Sequence, residues 1–156
     1  MEFSGKKVTV VGTGISGIGA VGLLNAVGAE VVLYDGNEKL KIEDIEKKLG
    51  TYKAEIVLGE LTKELTDSSD LLVISPGVPI DSPVVKAFEA AGVPVWGEVE
   101  LAYAFDKGKV LAITGTNGKT TTTALVGQIV GAYHKDTFVV GNIGNPYTTE
   151  VLKSNK

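Results

Sequence analysis

Short apolar runs alternate with longer stretches of helical spacing along the chain, a pattern typical of parallel βα units. The runs that predict buried strands before residue 100 are 7–11, 30–34, 54–58, 71–75 and 93–96. The helices predicted around them cover residues 15–27, 39–49, 83–91 and 98–105. We therefore predict an α/β fold built on a parallel sheet.

A polar, glycine-containing stretch at residues 106–109 is the best boundary between two units. We expect a first domain at 1–106 and a second at 107–156. In the second, the patterns predict strands 110–114 and 137–140, a helix over 122–133 and a helix starting in 147–153. Open α/β sheets usually have more than two strands. We therefore expect a truncated second domain, with residues beyond Lys109 either mobile or covered by self-association.

The first predicted strand leads directly into a glycine-rich turn with the spacing G-x-G-x-x-G, residues 12–17. In such turns the glycines allow a tight bend, close approach of a diphosphate and close packing of helix on strand. The N-terminus of the following helix attracts anions. Asp35 ends the second strand, where an acidic residue commonly meets the ribose or base end of a nucleotide. We predict a Rossmann-like nucleotide-diphosphate site, with a packing turn that binds no ligand as the alternative.

A second turn, GTNGKTT at residues 115–121, lies between a predicted strand and a predicted helix. Its N–H groups would surround a β-phosphate, Lys119 would reach the β- and γ-phosphates, and the Thr120 hydroxyl would lie near Mg²⁺. The match to a phosphate loop is imperfect, because Ile113 stands where glycine is expected. The predicted ATP-binding residues are Gly115, Thr116, Asn117, Gly118, Lys119, Thr120 and Thr121. A solvated glycine turn with a stray lysine is the alternative.

Two more turns combine glycine and proline after predicted strands. SPGVP at residues 75–79 follows the fourth strand, and GNIGNP at 141–146 follows the last one. Ligands of open α/β sheets bind at the carboxyl ends of the strands. Gly77 and Asn142 are therefore candidates for ligand contacts, and a purely structural turn is the alternative for both.

Composition narrows the classes of partner. The 156 residues contain 15 Lys+Arg against 19 Asp+Glu, a net charge of −4 with no basic stripe for nucleic acid. The absence of cysteine excludes disulfides, thiolate zinc sites and cysteine nucleophiles, and it fits a cytoplasmic protein. No apolar stretch approaches the roughly 18 residues that span a bilayer. We expect neither nucleic acid nor membrane as a partner, whereas backbone N–H groups can hold a small anion.

The pairing of two nucleotide-type turns resembles the Mur ligases of peptidoglycan synthesis, most closely the branch that adds D-glutamate to UDP-N-acetylmuramoyl-L-alanine. The resemblance covers essentially all 156 residues. It is carried by Asp35 and by the segments VVGTGISGIG, SPGVP, GEVELAYAF, ITGTNGKTTTT and GNIGNP. Asn117 favours this branch, because the L-alanine-adding branch tends to have histidine at the matching position.

The resemblance implies a role for each turn. The first domain would bind the UDP part of the substrate rather than NAD. The implied substrate contacts are Gly14, Ile15, Ser16, Gly17, Asp35, Gly36, Gly77 and Asn142. The second domain would be the start of a P-loop α/β ATPase domain that binds ATP and Mg²⁺, with Thr120 at the metal. In the family reaction, the substrate's terminal carboxylate becomes an acyl phosphate, which the amine of the incoming amino acid attacks.

The resemblance also implies what this chain does not contain. The family's metal-binding glutamate and histidine, its modified lysine and its third domain would all lie beyond Lys156, so no catalytic residue is expected here. The chain itself is expected to bind substrate without catalysing ligation. Gly36-Asn37 departs from the family, which often has threonine or another polar residue directly after the aspartate. Two other interpretations are a nicotinamide-dependent oxidoreductase, which leaves Lys119 unexplained, and a non-catalytic UDP-sugar sensor.

Overall fold

The computed structural model describes residues 3–154, and its centre is a parallel sheet of five strands in the order β3-β2-β1-β4-β5. The strands are β1 (Lys7–Val11), β2 (Glu30–Asp35), β3 (Glu55–Leu58), β4 (Leu71–Ile74) and β5 (Val95–Gly97). The chain starts in the middle of the sheet, builds one half and then crosses to the other. This order creates a switch point between β1 and β4, where open α/β sheets bind ligands. The predicted α/β fold with a Rossmann-like sheet is confirmed.

Seven helices accompany the sheet in the described part of the chain. They are α1 (Ile15–Ala26), α2 (Ile42–Leu49), α3 (Lys63–Ser68), α4 (Pro83–Ala90), α5 (Glu98–Tyr103), α6 (Lys119–Tyr133) and α7 (Tyr147–Glu150), and α7 continues into a 3₁₀ turn, Val151–Lys153. The sequence pattern does not indicate α3, whose six residues include a single large apolar side chain. Between residues 3 and 154, no helix has the length and apolar character needed to cross a bilayer.

Both faces of the sheet are buried, which explains why its strands are continuous apolar runs. Successive strand side chains point to opposite faces. Val8 and Val10 of β1 therefore belong to the core under α1 and α5. On the opposite face, Val32 and Leu72 pack in a second core with Phe88 of α4, which is completely buried.

The predicted strands 110–114 and 137–140 are wrong. A strand needs a hydrogen-bonded neighbour, and the described chain offers these segments only one isolated bridge, between Val140 and Asn145. These two segments therefore take no part in the sheet. The side chains of Val110 and Leu111 accordingly remain 45% and 68% exposed.

The helix after the phosphate-loop motif forms, but it packs differently from the helices of the sheet. It begins at Lys119, three residues before the predicted start at 122, because Gly118 adopts a left-handed conformation (φ +77°) directly before it. None of its residues is buried. It therefore lacks the packed apolar face from which most helices in proteins gain their stability.

The end of the chain returns to the first unit. The helix predicted to start at 147 is present as α7, and it packs against α1 and α5. Tyr147 and Val151 are 7% and 2% exposed and belong to the core under α1. The division into domains 1–106 and 107–156 stays a prediction.

Candidate functional site

The glycine-rich turn links β1 to α1 at the carboxyl edge of the sheet. Gly12 has a φ of +104°, and a Cβ there would lie 2.9 Å from Ser75 Oγ. At Gly17 a Cβ would lie 1.9 Å from the carbonyl oxygen of Gly12. The fold itself therefore requires glycine at positions 12 and 17, whatever the turn binds.

Gly14 and Gly77 are glycines that the fold does not require. Neither has a positive φ, and a Cβ at either position would meet nothing within 4 Å. Gly14 is the N-cap of α1, and no side chain caps this helix. Since neither packing nor backbone geometry calls for glycine here, the missing Cβ leaves the backbone open to a ligand. This favours ligand binding over a packing turn as the role of these two residues.

Asp35 holds the glycine-rich turn in place. Its Oδ2 accepts hydrogen bonds from Thr13 N at 3.3 Å and Thr13 Oγ1 at 3.0 Å, and its Oδ1 accepts from Asn37 N at 3.1 Å. Both carboxylate oxygens thus have partners within the protein. Gly36, the next residue, is exposed at the end of β2.

Sequence reasoning did not identify two side chains that support this edge. Lys48 Nζ on α2 lies 3.5 Å from the carbonyl oxygen of Thr13 in the glycine-rich turn. The Tyr34 hydroxyl donates to the carbonyl oxygen of Gly59 at 2.7 Å and so ties β2 to the residue after β3. Burial and then the negative charge of Asp35 raise the pKa of Tyr34, so its hydroxyl remains a donor at neutral pH.

Two apolar side chains project from this edge into solvent. Ile15, in the first turn of α1, is 80% exposed, and Ile80, in the loop between β4 and α4, is 77% exposed. The Ser75 hydroxyl lies behind Gly12, buried and without a hydrogen-bond partner among residues 3–154. Ile15 lies inside the predicted motif, but no sequence signal distinguishes Ile80.

The turn of residues 115–121 is exposed throughout and leads into α6. Gly115 and Gly118 have φ values of +149° and +77°, which only glycine adopts readily. Lys119 Nζ donates to the carbonyl oxygens of Gly115 at 2.5 Å and Thr116 at 3.4 Å. The lysine therefore folds back over its own turn, close to the N-terminus of a helix of 15 residues.

Side chains that can bind metal ions do not cluster within residues 3–154. In the part of the chain that the structure describes, no three His, Cys, Asp or Glu residues form a group that could hold a metal ion. Thr120 is exposed at the second position of α6 and can offer one hydroxyl oxygen. A magnesium ion at this turn would need its other ligands from water and phosphate.

Asn142 lies in the loop that leads into α7. It is exposed in the loop 141–146, which is closed by a hydrogen bond of 3.2 Å from Gly141 N to the carbonyl oxygen of Asn145. Pro146 at the end of this loop lies beside Gly19 of α1. The predicted UDP-site residues Gly14 to Gly17, Asp35, Gly36 and Gly77 thus share one edge of the sheet, and Asn142 lies in a loop that ends at α1.

The first unit of the chain matches a known protein family. The family described as "Mur ligase MurD-like, N-terminal domain" matches residues 6–97. The chain belongs to this family. The match runs from β1 to β5 and includes the glycine-rich turn, Asp35 and Gly77, and it confirms the predicted resemblance to the Mur ligases.

Relatives of this MurD-like domain extend the match to the phosphate-loop motif. The chain is 67% identical over 156 residues to a UDP-N-acetylmuramoylalanine--D-glutamate ligase of Lachnospira eligens, covering 100% of the chain and 35% of that protein. It is 57% identical over 152 residues to the protein of the same name from Lachnoclostridium phytofermentans, covering 97% and 34%. The chain thus spans about a third of the length of these curated relatives.

A solved structure shows the same arrangement. The pseudomurein peptide ligase type C from Methanothermus fervidus superposes with a TM-score of 0.53 at 27% identity. The superposition covers 81% of this chain and 26% of that one. The fold of the MurD-like domain therefore also occurs in a protein named as a pseudomurein peptide ligase.

Proposed function

We propose that the complete protein is an ATP-dependent ligase that adds D-glutamate to UDP-N-acetylmuramoyl-L-alanine, in the cytoplasm and for peptidoglycan synthesis. This chain would bind the UDP end of the substrate and contribute the phosphate turn for ATP. The observation that carries the proposal is the 67% identity, over the whole chain, to a relative with that name.

The UDP site is proposed at the carboxyl edge of the sheet. The N–H groups of Ile15, Ser16 and Gly17 would face the diphosphate, because the start of α1 carries partial positive charge. The exposed Ile15 side chain would cover the uracil ring, beside Asp35 and Gly36. Gly77 would let the uridine approach the second turn of this edge, and the Asn142 amide would donate to the diphosphate. The two glycines that the fold does not require support this placement.

The ATP site is proposed at residues 115–121. The Lys119 ammonium, now bonded to two carbonyl oxygens of its own turn, has three donors that suit phosphate oxygens equally well. The N–H groups of Gly115 to Gly118 and the start of α6 would add partial positive charge. Thr120 would supply one oxygen to Mg²⁺, whose preference for water and phosphate oxygens fits the absence of a larger ligand group in residues 3–154.

The chemistry explains why one enzyme needs two nucleotide sites. Joining a carboxylate to an ammonium is unfavourable in water, so the substrate's terminal carboxylate first takes the γ-phosphoryl group and ADP leaves. The amine of D-glutamate then attacks the acyl carbon, a C–N bond forms, and phosphate leaves. Lys119 would stabilise the charge that shifts between the phosphate oxygens. The residues that bind D-glutamate are expected outside this chain.

Calorimetric titration of this chain with UDP-N-acetylmuramoyl-L-alanine tests the first site. Saturable binding is expected. Gly14→Ala should weaken it at least about tenfold, because the new Cβ would block one hydrogen bond from the backbone to the charged diphosphate. Gly131→Ala is the matched control, because Gly131 lies in α6 with open space around it. NADH is the control ligand, and binding of NADH but not of the UDP-sugar would contradict the proposal.

The ATP site has its own test. Binding of a fluorescent ATP analogue with Mg²⁺ should be lost in Lys119→Ala and kept in Lys135→Ala, which removes another exposed lysine. Equal binding by both variants would argue for the solvated turn instead.

A further inference from the structure

A buried carboxylate fastens α7 to the first unit. Glu98, the first residue of α5, is only 4% exposed. Its Oε1 accepts hydrogen bonds from Thr148 N at 3.0 Å and Thr148 Oγ1 at 2.7 Å. The N-cap of α7 is Pro146, whose side chain cannot accept a hydrogen bond. Glu98 therefore supplies, from a distant part of the sequence, the acceptor that the start of α7 lacks.

Gly19 of α1 provides the space for this docking. A Cβ at Gly19 would lie 2.8 Å from Thr148 Oγ1, 3.0 Å from Thr149 Oγ1 and 3.5 Å from Pro146 Cβ. The φ of Gly19 is not positive, so the backbone does not require glycine. Alanine would otherwise stabilise the interior of a helix. The close approach of α7 is the feature of the structure that accounts for glycine at this position.

The loop that carries Asn142 is in turn fastened to α7. Asn145 Nδ2 donates to Glu150 Oε1 at 2.7 Å, and Lys153 pairs with Glu150 Oε2 at 2.7 Å. Asn145 also accepts the bond from Gly141 N that closes the loop. Lys153 holds the pKa of Glu150 below its usual value, so the carboxylate is charged at neutral pH. A continuous set of contacts thus leads from Gly19 and Glu98, through α7, to the loop 141–146.

We propose that Glu98 and Gly19 are positioning residues for binding of the UDP-substrate. By fixing α7 against α1, they hold the Asn142 loop beside the helix whose N-terminus is the proposed diphosphate site. Neither residue is expected to touch the ligand, since Glu98 is buried under α7 and Gly19 lies beyond the first turn of α1. The identity of the ligand rests on the proposed function, but the mechanical link does not.

Ligand binding provides the first test, by calorimetry of this chain with UDP-N-acetylmuramoyl-L-alanine. Glu98→Ala and Gly19→Ala should each weaken binding about tenfold, the effect of losing a hydrogen bond to a charged group. Glu98→Gln should keep most of the affinity, because its amide oxygen can accept both bonds from Thr148. Adding Asn142→Ala to either damaging variant should cost nothing further, since all act through one contact. Wild-type affinity in Glu98→Ala and Gly19→Ala, or additive losses with Asn142→Ala, would overturn the proposal.

Amide hydrogen exchange without ligand separates this proposal from the proposed function. The Gly141 amide should exchange faster in Glu98→Ala and Gly19→Ala, while the amides of β1 and β4 exchange as in wild type. Gly131→Ala serves as the matched glycine control and should change neither. Unchanged exchange at Gly141 would overturn the mechanical link even in a chain that binds no UDP-sugar. Faster exchange, combined with no UDP-sugar binding by the wild type, would refute the proposed function alone.

Discussion

Replacing Gly17 by alanine should destabilise the first unit far more than the same change at Gly14, three residues earlier in the same turn. The new Cβ at position 17 would lie 1.9 Å from Gly12 O, whereas real Cβ atoms essentially never come closer than 3.0 Å to such an atom. The carbonyl belongs to the backbone and cannot rotate away, so the turn has to move. Overpacking of this kind costs about 3 kcal/mol. The better helix propensity of alanine offsets about 1 kcal/mol, which leaves a net loss of about 2 kcal/mol.

Thermal unfolding followed by circular dichroism measures the effect. A loss of this size should lower the Tm of Gly17→Ala by about 4 to 8 °C for a chain of this length. Gly14→Ala should lower the Tm by less than about 3 °C, because its Cβ meets nothing within 4 Å and its φ of −78° suits any residue, which leaves only the weaker preference for alanine at the N-cap. Urea titration gives the free energies directly. A Gly17→Ala protein with the wild-type Tm would refute the reasoning, since the turn would then accommodate a side chain at no cost.

Further predictions concern the core and the docking of α7. Phe88→Ala should lose about 3–5 kcal/mol in urea unfolding, because Phe88 is completely buried, whereas Phe138→Ala, at a side chain 41% exposed, should stay within about 1 kcal/mol of wild type. Burial alone would raise the pKa of Asp106, but hydrogen bonds from Tyr147, from Ser154 and from backbone amides outweigh burial and lower this pKa. The hydrogen bond from Lys153 likewise lowers the pKa of Glu150. Because both pKa values are lowered, the two carboxylates stabilise the docked state of α7 at pH values above their ordinary pKa values of 3.8 and 4.5. This contribution is lost as the pH falls through the lowered pKa values. An NMR titration should therefore show α7 detaching only below about pH 4.5; detachment between pH 6 and 8 would contradict this.

The sheet could be predicted from the sequence because its signals are local. Each strand is an apolar run with a glycine, proline or charged residue near its ends. All five strands lie within two residues of the predicted bounds. The glycine-rich turn and Asp35 lie at one edge of the sheet, as the order of strands and turns predicts, since parallel strands bring their carboxyl ends together.

Other features depend on contacts that no local pattern contains. The run 110–114 reads as a strand, but without a pairing neighbour it remains irregular. Gly19 lies in a helix rich in small residues, and its reason for being glycine is a helix that begins at Tyr147. The two oxygens of Asp35 are similarly committed to Thr13 and Asn37, which the sequence alone does not reveal.

The segment from residue 107 to residue 146 leaves the first unit and rejoins it where it departed. The Tyr147 hydroxyl donates to Asp106, and Lys107 N donates to Ser154 Oγ at 3.1 Å, so the two anchors of this excursion are neighbours in space. The segment can be treated as a long loop inserted between these two contacts. Replacing it by a turn about eightfold shorter would lower the entropic cost of closing this loop by about 1.8 kcal/mol. The five-stranded unit with α7 still docked would then keep the glycine-rich turn, Asp35 and Gly77 but would lack the loop 141–146, so this edge of the sheet could be studied apart from the phosphate turn.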